Sequence, residues 1–222
     1  MTLPTPEVTT IHQRFYSNPS ISPITLEHVD LASLTSKSVA DLVATLSGTR
    51  LGVAASYGKR RVLKALAFST KSRVLLITIN GTSKLAKRHI LRDELLCNTS
   101  LEKHGFSMER LATALHLDLG LHIRCTFDIS SGIDSQGSMA VYKAVLTQAR
   151  TEDSLNESAV KSVFKEQPPI LSRKADFALR AWACYIGVQG IPAKPGAIDT
   201  STMDPQVSPA CWSCTIFPDH PN

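Results

Sequence analysis

The residues able to do chemistry in this 222-residue chain are few and scattered. The most pointed is Asp176, near the start of SRKADFALRAWACYI (residues 172–186). Leu179, Trp182, Ala183 and Ile186 follow it at helical spacing, so the run reads as a helix with one apolar stripe. A carboxylate at that position has two uses. It can complement the positive end of the helix dipole, or it can offer hard oxygen atoms to a divalent cation. Both readings stand on the residues alone.

The basic residues gather in two places. Lys59, Arg60 and Arg61 are consecutive, and Lys84, Lys87, Arg88 and Arg92 recur at helical spacing. With a formal net charge of +5, such groups suit a polyanion such as single-stranded nucleic acid, or simply a solvated face. Cys211 and Cys214 have CxxC spacing, with His220 as a third candidate ligand, but no second pair completes a zinc site. Five scattered cysteines read as reduced, mostly buried thiols. His89, His104, His116 and His122 show no ligand spacing. No GxSxG, HExxH, GxxxxGK[ST] or GxGxxG occurs, so serine hydrolase, zincin, P-loop and dinucleotide-binding readings lack support.

The elements that must position these groups can be read in order. Residues 1–23 are rich in Pro, Ser and Thr and suggest a flexible tail. Residues 24–48 suggest a helix ended by Gly48. Three strands follow: Arg50–Ser56, Val62–Thr70 and Arg73–Asn80, the last a β-branched run suited to burial on both faces. Helices are expected at Ser83–Cys97, with Ser83 as N-cap, and at Ser107–Leu119, closed by Gly120. A short strand at Cys125–Ile129 precedes helices at Met139–Gln148, Glu157–Lys165 and Ser172–Val188. Residues 191–222 form a Pro-rich tail, leaving 24–190 as one domain. At 43% hydrophobic and 19% charged residues, with no apolar run long enough to span a bilayer and no signal peptide, an intracellular protein, nuclear or cytoplasmic, is expected, with no membrane role.

Three local patterns in this order resemble DEDD-type 3′–5′ exonuclease domains, the RNase D/Werner-like group. The strands over 50–80 resemble the family's opening meander. KHGFSMERLATALHLDLGLHIRCTFDIS resembles its glycine-strand, helix, "LGL" turn and "FD" strand. ADFALRAW resembles its last motif, with Ser172 where the family has a tyrosine. The resemblance implies a ribonuclease H-like α/β fold, its mixed sheet beginning as an antiparallel meander and continuing with parallel strands. It also implies two Mg²⁺ or Mn²⁺ ions about 3.5–4 Å apart, which clamp a phosphodiester through four carboxylates.

Of those four carboxylates only Asp176 is present in place. The first-strand DxE falls on Ala54 and Ser56, and no acid lies between Asp41 and Asp93. The second-motif aspartate falls on Leu111 or Ser107, with Glu109 the nearest acid. Asp128 matches a position that is structural in the family. The expectation is therefore a pseudoenzyme: an exonuclease-like domain that binds nucleic acid without catalysis and needs no cofactor, with Asp176 and Glu109 as remnants of a catalytic and metal site. Two alternatives stay open. One is a divergent active nuclease using Mg or Mn, drawing on Asp93, Glu94 or Asp118. The other is a scaffold for a protein partner. RNA and DNA are not distinguished.

Overall fold

The computed structural model describes residues 6–18, 21–80, 87–131, 133, 137–165 and 173–190. Ser83, Lys84, Ser172, Cys211, Cys214, His220 and the expected C-terminal tail lie outside them.

Seven strands form one mixed sheet in the order β1-β2-β5-β4-β3-β6-β7. They are β1 (Glu7–Ile11), β2 (Ile24–Asp30), β3 (Arg50–Tyr57), β4 (Leu63–Ser69), β5 (Arg73–Thr78), β6 (Glu102–Gly105) and β7 (Thr126–Asp128). β3, β4 and β5 are the antiparallel meander. β6 adds parallel to β3, and β7 parallel to β6. This meander, continued by parallel strands, is the mixed arrangement expected from the sequence for residues 50–129. β5 lies inside the sheet, and five of its six residues are buried.

Helices cover both faces. On one side α1 (Ser36–Val43) and α3 (Met108–Leu119) bury Val39, Leu42, Leu111 and Leu115 against Leu51, Val53, Leu66, Phe68 and Leu75. A short turn α2 (Arg88–Ile90), continued by a π-helical stretch (Leu91–Leu96), adds Leu91 and Leu95 to that layer. On the other side α4 (Ser138–Ala149), α5 (Glu157–Phe164) and α6 (Lys174–Gly190) pack over Ala65, Ala67, Val74 and Leu76. The sheet is lined with small residues there. A Cβ on Gly52 would lie 2.2 Å from the Ala181 carbonyl oxygen and 2.5 Å from the Tyr185 nitrogen, so α6 lies directly on the β3 backbone.

Two expectations are corrected. Within residues 1–23, Glu7–Ile11 is an edge strand paired with β2. Phe15 beyond it is fully buried, its ring 6.2 Å from those of Phe164 and Trp182. The tail reading fails there because buried aromatic area outweighs the Pro and Ser/Thr composition. Residues 24–30 are a strand and not the start of a helix, parallel to β5. Its polar residues looked like a helix's wet face but find partners across the sheet. Glu27 is 4% exposed and accepts from Arg73 at 2.6 Å. The α-helix of this region is confined to α1, capped by the Thr35 side chain, after a single 3-10 turn at Leu31–Ser33.

Lys103 on β6 is fully buried, its ammonium donating to the carbonyls of Asn98 (2.6 Å) and Leu101 (2.7 Å). Burial holds its pKa down to about 8.

Two outcomes follow from these contacts. Gly52→Ala drives a methyl group into the α6 backbone, and a loss of about 3 kcal/mol is expected in urea denaturation. Lys103 binds its proton less tightly folded than unfolded. Its contribution to stability therefore rises with pH between about 8 and 10.4, by up to about 3 kcal/mol. Lys103→Met should abolish that rise relative to the wild type, read from denaturation midpoints at pH 7 to 10.

Candidate active site

α6 carries Asp176 in its first turn. Its side chain is nearly buried and is held by two guanidiniums. Arg14, from the segment after β1, donates to Oδ1. Arg173, three residues earlier, pairs with Oδ2. Arg173 also donates to the Ser162 carbonyl and hydroxyl at the end of α5. The carboxylate thus ties the N-terminal segment, α5 and α6 together, and both of its oxygens are occupied.

The strand beneath offers nothing to complete a metal site. Side chains alternate along β3, so Ala54 and Ser56 share Gly52's face, toward α6. Ala54 packs in one apolar cluster with Phe106, Tyr142, Phe164, Phe177 and Ala178. Within that cluster Tyr142 stacks on Phe164 (ring centroids 4.1 Å), and Phe106 meets Tyr142 edge-on (4.6 Å). Two hard divalent ions need several anionic oxygens, which an apolar cluster does not supply. One carboxylate already matched by two arginines does not fit them. Among the described residues, no group of three or more His, Cys, Asp or Glu could hold a metal ion.

The other acids lie elsewhere. Glu109 is exposed on α3, which packs on the sheet face opposite α6, so the structure does not bring it to Asp176. Ser107, at the start of α3, has φ 56°, and Leu111 is in the core. Asp118 accepts from the Leu63 nitrogen at 2.6 Å. Asp93 pairs with Arg92, and Glu94 accepts from Ser36 at 2.5 Å. Asp128 accepts from the Met108 nitrogen (2.9 Å) and the Ser130 nitrogen (2.9 Å), fastening the end of β7 to the start of α3.

Among the described residues, histidines and thiols form no further cluster that could hold a metal ion. His104 stacks on Phe127 (4.8 Å), and burial lowers its pKa. His116 and His122, brought together by the turn at Gly120, have ring centroids 5.3 Å apart. Burial pushes the Cys184 thiol up to about 12, which keeps it unreactive. An open cavity at the C-terminal end of α6 is lined in part by Ser47, Lys71, Arg150, Tyr185 and Gln189, far along the helix from Asp176.

Lys59, Arg60 and Arg61 form the exposed turn between β3 and β4. Lys87 is exposed and Arg88 half-buried at the start of α2, in the segment that follows β5. β3 and β5 run parallel to each other, so both segments leave the same end of the sheet. The sequence reading missed Arg14, whose partner lies 162 residues away, and Lys64 and Arg110, which border the turn. Arg173 was visible at three residues from Asp176.

The ion pair has a measurable consequence. Asp176→Asn leaves Arg14 and Arg173 facing each other and should cost about 1–3 kcal/mol in thermal unfolding. A double-mutant cycle with Arg14→Gln should return a coupling near the lower end, about 1 kcal/mol, because Arg14 is half exposed.

No family model and no curated protein matches the chain. Solved structures do resemble it. RNase D of Trypanosoma brucei is 11% identical, with a TM-score of 0.49, over 76% of this chain and 66% of that one. The catalytic core of RRP6 from Trypanosoma brucei is 16% identical, with a TM-score of 0.49, over 79% of this chain and 49% of that one. The Nibbler EXO domain of Aedes aegypti is 12% identical, with a TM-score of 0.49, over 81% of this chain and 91% of that one. The chain thus spans less than two thirds of the length of the first two. The likeness concerns the fold, and in fold the chain resembles DEDD-type 3′–5′ exonuclease domains.

Proposed function

We propose that this chain is an exonuclease-like domain that binds single-stranded nucleic acid without cleaving it. One observation carries the reading. The carboxylate that would hold metal, Asp176, is neutralised by Arg14 and Arg173 above a strand bearing Ala54 and Ser56. In-line phosphodiester hydrolysis of the family's kind needs two cations to activate water and stabilise the leaving oxygen. Here protein guanidiniums stand beside the one remaining carboxylate. They attract phosphate but cannot activate water as a metal does.

Binding is supported by the cations at the sheet end. Lys59, Arg60, Arg61 and Lys87 are exposed, and among the described residues none of them makes an ion pair or a side-chain hydrogen bond. Charges that serve no internal partner are available to phosphate. Lys84 belongs with them by sequence and Arg88 by position.

The test uses a 5′-labelled single-stranded oligonucleotide, RNA and DNA in parallel, with Mg²⁺ or Mn²⁺. No 3′ shortening is expected. Binding followed by anisotropy should weaken as salt rises, with a log–log slope of about −2 to −3, at roughly 0.7 per phosphate contact. Changing Lys59, Arg60 and Arg61 to alanine should flatten that slope. Metal-dependent shortening abolished by Asp176→Ala would establish an active nuclease instead. Absence of binding in the wild type would leave a protein-interaction scaffold.

A further inference from the structure

We infer that the nucleic-acid surface of this reading is centred on the β3–β4 hairpin tip and turns onto α3, where Lys64 and Arg110 complete it. Three independent features at the hairpin tip and on α3 beside it point there.

The first is a bulge. Ser56 pairs with Ala65, but Tyr57 pairs with Leu63, so Lys64 is the extra residue of β4. A bulge re-aims a side chain that regular pairing would place elsewhere. Lys64 is exposed and its stem lies over Gly58, where a Cβ would come within 3.0 Å of its Cγ and Cε. Gly58 leaves the space that this stem fills.

The second is the backbone of the tip. Arg60 and Arg61 both have φ 62°. Left-handed conformation in two successive residues is usual for Asn and Gly and unfavourable for arginine. Neither side chain gains an ion pair or hydrogen bond inside the protein to offset it. An unfavourable conformation that displays two free guanidiniums is explained by what they meet outside.

The third is Arg110. Its guanidinium lies 4.2 Å over the ring of Tyr57, and it has no carboxylate partner. One face is held by the ring, while the N–H edge stays available to a phosphate. Lys59, Arg60, Arg61, Lys64 and Arg110 therefore surround one tip. The acids nearby are Glu109, exposed beside Arg110, and Asp118, with one oxygen engaged by Leu63.

Three of the five cations are arginines, whose planar forks match phosphate oxygens. Tyr57, the ring at the tip among the described residues, is half-buried and covered by Arg110, so it offers no open platform for base stacking. The ligand chemistry is thus a run of phosphodiesters read through its backbone, with RNA and DNA bound alike. α3 packs opposite α6, so this surface does not include the Asp176 site.

The experiment measures anisotropy of labelled oligo(U) and oligo(dT) between about 50 and 200 mM salt. Lys64→Ala with Arg110→Ala should lower the slope by about 1.4 and the affinity roughly twentyfold at 0.1 M salt. Lys71→Ala, an exposed cation in the β4–β5 turn at the other end of the sheet, should bind as the wild type does. In the wild type, bound oligonucleotide should shield Lys64 and not Lys71 from acetylation, which needs no variant to fold. Full affinity of the Lys64/Arg110 double variant, with loss in the Lys59–Arg61 triple variant, would overturn the extension onto α3 and leave the function intact. Equal loss from Lys71→Ala would overturn a localised site. No binding by the wild type would remove the underlying reading.

Discussion

The arrangement depends on how closely α6 lies on β3. Gly52 has no side chain, and Ala54, Ala65 and Ala67 continue the small lining, so the helix backbone rests on the sheet at one contact point. Packing of this density fixes a helix's height and direction, because neither surface can shift without opening a void. With the helix fixed, Asp176 has a set position at its first turn, and Trp182 reaches the Lys71 carbonyl with its indole nitrogen at 3.0 Å. The same closeness leaves an apolar layer beneath α6, continued to the side by Phe106, Tyr142 and Phe164. Ala54 of β3 lies within this packed apolar layer.

That layer changes what an aspartate can do. A nearly buried carboxylate without partners would be costly, and one facing only aromatic rings would be driven to neutrality. Arg14 and Arg173 remove the cost. Arg14 is brought in by Phe15, whose burial against Phe164 and Trp182 anchors the segment. The Asn156 nitrogen bonds the Phe15 carbonyl at 2.7 Å, and the Tyr16 hydroxyl bonds the Leu146 carbonyl at 2.7 Å. The N-terminal segment is therefore part of the α4–α6 layer. The ion pairs of Asp176 with Arg14 and Arg173 are among its fastenings. A likeness of fold to nucleases does not by itself return chemistry to such a residue.

Local pattern was enough to read some elements and not others. Arg73–Thr78 could be read because both of its faces are apolar, and Gly120 because a helix ending in left-handed conformation favours glycine. β2 could not. Glu27 and His28 look like solvent-facing residues until Arg73 and Glu7 are placed beside them. The tail reading of residues 1–23 failed for a related reason, since Phe15 has no partner nearby in sequence. Asp176 was legible as the first-turn acid of an apolar helix, whereas the 162-residue separation hid Arg14. Ala54 and Ser56 were read as the places where acids are missing, and the structure puts them on the α6 face of β3.

The basic tip shows the same limit from the other side. The Lys59–Arg61 triplet is plain in the sequence, but Lys64 then reads as one more residue of a strand, and Arg110 as the wet side of a helix. Only the register slip between Ser56 and Tyr57 turns Lys64 outward, and only the packing of α3 brings Arg110 over Tyr57. Both depend on how α3 seats against β4, which Asp118 fixes by accepting the Leu63 nitrogen. An acid that a nuclease reading would recruit for metal thus shapes the cationic surface instead. Among the described residues, Asp118 and Asp176 hold a turn and a helix in place, while Lys59, Arg60, Arg61, Lys64 and Arg110 stand exposed around one tip.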